Sequence, residues 1–154
     1  NTLTGGRLVG CAKYLDPTEN FLMTYGDGLA NVDLAKLVKH HDEAKKLATV
    51  TVVQPLSRFG VVDLDDHDQV VQFREKPQVE GWINVGFFVM NAKVLTFIDP
   101  HEPLEQKPMA KLASEGQLTA FRHTGFWQPM DTLRDKIELT KLASLQIPPW
   151  LENI

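Results

Sequence analysis

FLMTYGDGLANVDLAKLVKHHDEAKKLATVTVV, residues 21–53, holds three elements whose order decides the fold. Residues 21–25 (FLMTY) are apolar and stop at Gly26-Asp27-Gly28, the pattern of a buried strand ending in a glycine turn. From 33 to 46 the period changes. Leu34, Leu37, Val38, His41 and Ala44 recur at three- and four-residue steps, and lysines fill the other face. That predicts an amphipathic helix, with Asn31 or Asp33 as its cap. Residues 48–53 (ATVTVV) are rich in β-branched side chains and bounded by Pro55, which predicts a second strand. Strand, helix, strand is a βαβ unit, and it favours a parallel sheet with right-handed crossovers.

Downstream the character turns antiparallel. Residues 59–64 and 70–74 are apolar stretches joined by Asp65-Asp66-His67-Asp68, which predicts a hairpin ended by Pro77. Residues 82–90 (WINVGFFVM) read as the most buried strand. Residues 93–98 predict a short helix, and residues 109–115 a better one, stopped by Gly116. Residues 118–122 predict a strand. Residues 132–144 predict a long helix, ended by Pro148-Pro149. The expected class is α/β: a partial Rossmann-like sheet, mostly parallel, with an antiparallel hairpin insertion.

Composition narrows the function. The chain has 154 residues, enough for one domain over 1–154, and 43% are hydrophobic, enough to bury a core. Its net charge of −4 gives no basic footprint, so no nucleic-acid polymer is expected as a partner. No apolar run approaches the ~18 residues of a membrane helix, so no membrane partner is expected either. The one cysteine, Cys11, excludes an intrachain disulfide and a cysteine-rich metal site. It is expected to be a partly buried apolar residue in a reducing cytoplasm. The opening Asn1-Thr2-Leu3-Thr4-Gly5-Gly6-Arg7 has no methionine and no signal-peptide pattern, and reads like the middle of a longer sequence.

Four stretches carry chemistry. In Thr24-Tyr25-Gly26-Asp27-Gly28, an aspartate between glycines follows a buried strand, at the sheet edge where open α/β folds bind ligands. A plain turn is the other reading. In Phe73-Arg74-Glu75-Lys76-Pro77, Lys76 can hold a phosphate and Glu75 a sugar hydroxyl, or the pair can simply blunt a strand edge. In residues 81–88, Asn84 interrupts a buried strand and needs a partner, in protein or ligand. Gly86 is a place where another group can approach. In Gly125-Phe126-Trp127-Gln128-Pro129-Met130-Asp131-Thr132-Leu133-Arg134-Asp135-Lys136, Asp131 precedes a helix, as a cap or as a cation ligand. Asp27 and Asp131 stand 104 residues apart, each at a strand-end loop. Two carboxylates sharing a hydrated cation with substrate phosphates describe a Mg²⁺ site.

TYGDG, ATVTVVQPLSRFG, REKP, WINVGFF and GFWQPMDTLRDK, in that order, resemble the glucose-1-phosphate cytidylyltransferases, sugar nucleotidylyltransferases that make CDP-glucose. Thr4-Gly5-Gly6-Arg7-Leu8 fits them too, and the resemblance runs from about Thr4 to about Lys141. It implies that CTP and glucose 1-phosphate are the substrates. Asp27 and Asp131 would bind Mg²⁺, and Lys76 the sugar phosphate. Glu75 and Asn84 would bond the glucose hydroxyls, and Gly60 and Gly86 would bring backbone close to the sugar. On this basis Asp27, Lys76 and Asp131 are the expected catalytic residues. The family's Gly-Gly-x-Gly-Thr-Arg loop, which wraps the triphosphate, has no counterpart here. The expectation is a chain carrying the sugar-phosphate and metal half, weakly active alone. The strand over 21–25 would then have an open edge and drive self-association into a homo-oligomer.

Two lookalikes are set against this. His40-His41-Asp42-Glu43 suggests a metal cluster, but adjacent helical residues diverge by ~100° and a solvated face is expected instead. Asp63-Leu64-Asp65 suggests a glycosyltransferase Asp-x-Asp, a reading that needs both aspartates in a pocket rather than at a hairpin tip. A non-catalytic sugar-phosphate-binding remnant is the third possibility. It predicts binding without turnover.

Overall fold

The computed structural model describes residues 2–152, so Asn1, on which the sequence opens, lies outside the described residues. Helix α1 (Thr4–Cys11) leads to strand β1 (Asn20–Thr24), the short strand β2 (Gly28–Ala30), helix α2 (Leu34–Ala44) and strand β3 (Ala48–Val53). Strands β4 (Val61–Leu64) and β5 (Val70–Arg74) form the hairpin, and β6 (Ile83–Asn91) follows. A 3-10 turn (Ala92–Phe97), helix α3 (Lys107–Ser114), strand β7 (Leu118–Arg122), strand β8 (Trp127–Pro129) and helix α4 (Leu133–Ala143) complete the order.

The main sheet runs β1-β6-β3-β7. Strands β1, β3 and β7 point one way. Strand β6 lies between β1 and β3 and is antiparallel to both, while β3 and β7 pair in parallel. The α/β class and the hairpin insertion therefore stand. The βαβ unit is real in direction, but its two strands are parallel without being neighbours, because β6 inserts between them. A long apolar strand can fill that central place because both its faces are covered.

Helices cover both faces of the sheet. On one side Leu8 of α1, Val94 and Ile98 of the 3-10 segment, Leu104 and Leu112 of α3 pack with Ala48, Phe88 and Met90. On the other, α2 buries Leu37 and His41. The His41 Nδ1 lies 2.8 Å from the Thr49 hydroxyl of β3, and both residues are buried. Period-2 alternation places Thr49 and Thr51 on the α2 face and Ala48 on the other.

Several local expectations are corrected. Asp33 caps α2 by accepting from the Lys36 N–H at 2.9 Å, which leaves Asn31 out of that role. His41 is not on a solvated face. It fills the helix–sheet joint, while the His40 ring sits edge-on to Phe121 at 5.6 Å. Cys11 is exposed, not partly buried. Ile83 and Asn84, at the start of β6, are exposed, so that strand is buried only from Val85 onward. Helix α1 was not expected, since Gly5 and Gly6 disfavour helix. Packing explains them. A Cβ on Gly5 would meet the Glu102 carbonyl oxygen, and one on Gly6 would lie 2.5 Å from that of Pro100.

Candidate active site

Asp27 sits in the turn between β1 and β2, and Asp131 follows β8 directly. Strands β2 and β8 pair antiparallel, with Gly28 opposite Pro129. The Met130 N–H then donates to the Asp27 carbonyl at 2.7 Å. The structure thus brings together two backbone segments 104 residues apart in sequence. Asp131 is not a helix cap. Thr132 is, in a capping box: its hydroxyl accepts from the Asp135 N–H at 3.2 Å while Asp135 accepts from the Thr132 N–H at 2.9 Å. Hydrogen bonds from Thr132 hold the Asp135 carboxyl below its usual pKa, and the positive charge of Arg58 adds to that effect. The side chain of Asp131 is left exposed and out of every ion pair found among the described residues, as is that of Asp27.

A cavity of about 460 Å³ opens beside Asp27, walled by Thr4 and Arg7 of α1, by Tyr25, and by Leu104-Glu105. A second, of about 310 Å³, is lined by Asp27, Met130, Lys136, Thr140 and Trp150. Lys136 lines this cavity with Asp27 and was not among the expected site residues. Its place in residues 125–136, one of the stretches that carry the family resemblance, was the available signal.

The sugar-side residues fall into two further groups. At the hairpin, the space in front of Gly60 is filled by the Phe73 ring, 2.7 Å from where a Cβ would stand, and by the Glu75 carboxylate at 3.2 Å. Lys76, two residues past the end of β5, has φ +45°, its ammonium 4.0 Å from Glu75. Both side chains are exposed. The second group is at the bend of β6. Asn84 Oδ1 accepts from the Gly86 N–H at 2.8 Å, and the Gly86 carbonyl accepts from the Tyr25 N–H at 2.9 Å. Gly86 has φ +81°, and a Cβ there would lie 2.5 Å from Tyr25 Cδ2. The group that approaches Gly86 is therefore the Tyr25 ring. The Gly86 N–H and carbonyl each make a hydrogen bond inside the protein. Asn84 is partnered by backbone and open to solvent, not buried.

The Asp-x-Asp reading fails its own condition. Arg74 donates to both Asp63 oxygens at 2.8 and 3.0 Å, and Asp65 accepts from the His67 and Gln69 N–H groups at the hairpin tip.

Two free carboxylates on joined strand ends offer hard oxygen donors, which fits a hydrated Mg²⁺ completed by substrate oxygens. Among the described residues no group of three or more His, Cys, Asp or Glu forms a closed metal cage.

The nucleotidyl transferase family pattern matches residues 8–141. Glucose-1-phosphate cytidylyltransferase of Salmonella typhi is 46% identical over 152 residues, covering 97% of this chain and 59% of its own length. Its counterpart in Salmonella typhimurium gives the same figures, 46% identity, 97% and 59%. The chain thus spans about 59% of the length of these relatives. Among solved structures, HddC from Yersinia pseudotuberculosis superposes with a TM-score of 0.64 at 21% identity, covering 88% of this chain and 60% of that one, a likeness of fold alone. With the family pattern covering most of the chain, the protein belongs to the nucleotidyl transferase family.

Proposed function

We propose that the chain is the C-terminal portion of a sugar nucleotidylyltransferase and carries the sugar-phosphate and metal half of its site. The reaction is transfer of a cytidylyl group from CTP to α-D-glucose 1-phosphate, giving CDP-glucose and pyrophosphate. The observation that carries this is the bond from Met130 to Asp27, which seats two unengaged carboxylates at one end of the β2–β8 ladder. The 46% identity to a cytidylyltransferase supports the choice of base and sugar.

Asp27 and Asp131 would hold Mg²⁺, which when bound offsets phosphate charge and orients the phosphates. Lys76 binds the phosphate of glucose 1-phosphate as a point charge. Glu75 and Asn84 hold glucose hydroxyls, and Gly60 lets Glu75 close over the sugar. A phosphate oxygen of glucose 1-phosphate attacks the α-phosphorus of CTP, and pyrophosphate leaves. Positioning two anions in line supplies most of the rate, and little covalent work falls to the protein.

The test pairs calorimetry with pyrophosphate release. Glucose 1-phosphate should bind the chain alone. Turnover with CTP should rise when the N-terminal segment of a full-length relative is added, and Asp27→Asn or Asp131→Asn should remove it. No sugar-phosphate binding, or turnover indifferent to both aspartates, would overturn the assignment.

A further inference from the structure

The Asp27 turn has glycine on both sides, and no atom lies within 4 Å of where a Gly26 Cβ would be. Such a turn is free to wander unless something holds it. On its downstream side it is held by the β2–β8 ladder. On its upstream side the holding group is Tyr25. The Tyr25 ring lies over Gly86 and is tilted against Phe88 with centroids 5.7 Å apart. Its hydroxyl donates to Glu105 Oε1. The other Glu105 oxygen accepts from the Thr4 hydroxyl at 2.7 Å, and that hydroxyl accepts from the Leu104 N–H at 2.9 Å. The close seat of Gly5 and Gly6 on the carbonyls of residues 99–102 fixes α1, and with it Thr4.

We propose that Glu105 is a positioning residue for the Asp27 turn, tying it through Tyr25 to α1 and the segment before α3. The proposal rests on the reading of Asp27 as a metal ligand. Glu105 and Asp27 wall the same cavity of about 460 Å³. Glu105 is exposed on an irregular segment and lies outside the buried core cluster. Its loss therefore leaves the packing of Leu8 and Leu104 in place and removes only the tie. Burial alone would raise the Glu105 carboxyl, but hydrogen bonds from Tyr25 and Thr4 outweigh it and hold its pKa below the usual range. Both oxygens thus stay acceptors. A small displacement of a metal-binding carboxylate has large effects on positioning chemistry.

Amide hydrogen exchange on the full chain reads the tie without any metal. Tyr25→Phe keeps the ring and removes the hydroxyl, and Glu105→Ala removes the acceptor. Each should speed exchange of the Met130 amide about tenfold, the scale of one hydrogen bond. The Val50 amide, in the middle of β3, should be unchanged. Glu105→Gln, whose amide oxygen can still accept from Tyr25, should restore most of the protection. Mn²⁺ titration, followed by paramagnetic broadening near Asp27, should weaken about three- to tenfold in the first two variants and recover in Glu105→Gln. Unchanged Met130 exchange would overturn the proposal, as would equal acceleration at Val50. If Asp27→Asn leaves Mn²⁺ binding intact while the exchange result holds, the metal reading fails and the tie survives.

Discussion

Lys76 and Gly86 both have backbones that L side chains rarely adopt. Lys76 stands at φ +45° with an exposed ammonium. Lys76→Ala should weaken glucose 1-phosphate binding by about 1.5–3 kcal/mol, the scale of a charge-assisted hydrogen bond. Calorimetry giving the same affinity for both chains would remove Lys76 from the site. Gly86 stands at φ +81° because the Tyr25 ring occupies the place of a side chain. Gly86→Ala combines positive φ with a contact that has to move, and should cost about 2–4 kcal/mol in urea unfolding. A loss under about 0.5 kcal/mol, the range of neutral surface changes, would mean the bend relaxes freely.

At the scale of elements, the joint between α2 and β3 predicts a pH response. Burial lowers the His41 pKa, so the folded state holds the neutral ring, while in the unfolded chain the ring titrates near ~6.5. Its contribution to stability is complete above that value. It falls as pH drops through ~6.5 toward the lower folded pKa, because the unfolded state takes up the proton first. Melting curves from pH 7.5 to 5 should show a fall in Tm that His41→Asn flattens. An identical slope in both chains would assign the acid sensitivity elsewhere. The same joint shows what the sequence made legible. ATVTVV could only be a strand, and the apolar period of α2 already contained His41, so its burial was visible there. The solvated-face reading of residues 40–43 failed because it weighed metal geometry and neglected that stripe. Strands β2 and β8 went unread because three residues are too short for any period, and GLA and WQP have no shared pattern. Their partnership is a tertiary fact. So was the freeing of Asp131, which turned on Thr132 and Asp135 forming a capping box one residue later. The signal for that box, a threonine followed three residues on by an acidic side chain, was present.

At the scale of the whole molecule, the main sheet ends on β1, whose outer edge is unpaired among the described residues. Leu22 on that strand is 52% exposed and Leu34 at the start of α2 is 47% exposed. An open edge with apolar flanks is a template for another strand. The chain should sediment as more than a monomer at micromolar concentration, and Leu22→Lys should shift it toward monomer. A monomer at all concentrations would show that this edge is tolerated in water. The ladder between β2 and β8 has a further consequence, in time. Joining residues 28 and 129 closes a long loop, at an entropic cost of roughly 4 kcal/mol. Translation at ~5–20 residues per second leaves Asp27 waiting roughly 5–20 s for Asp131, 104 residues later, to be made. With Asp27 and Asp131 read as the proposed metal ligands, the nascent chain would carry half a cation site throughout that interval. Capture of the ion would then wait until Asp131 is made, and binding would favour only the fold in which the two segments are joined.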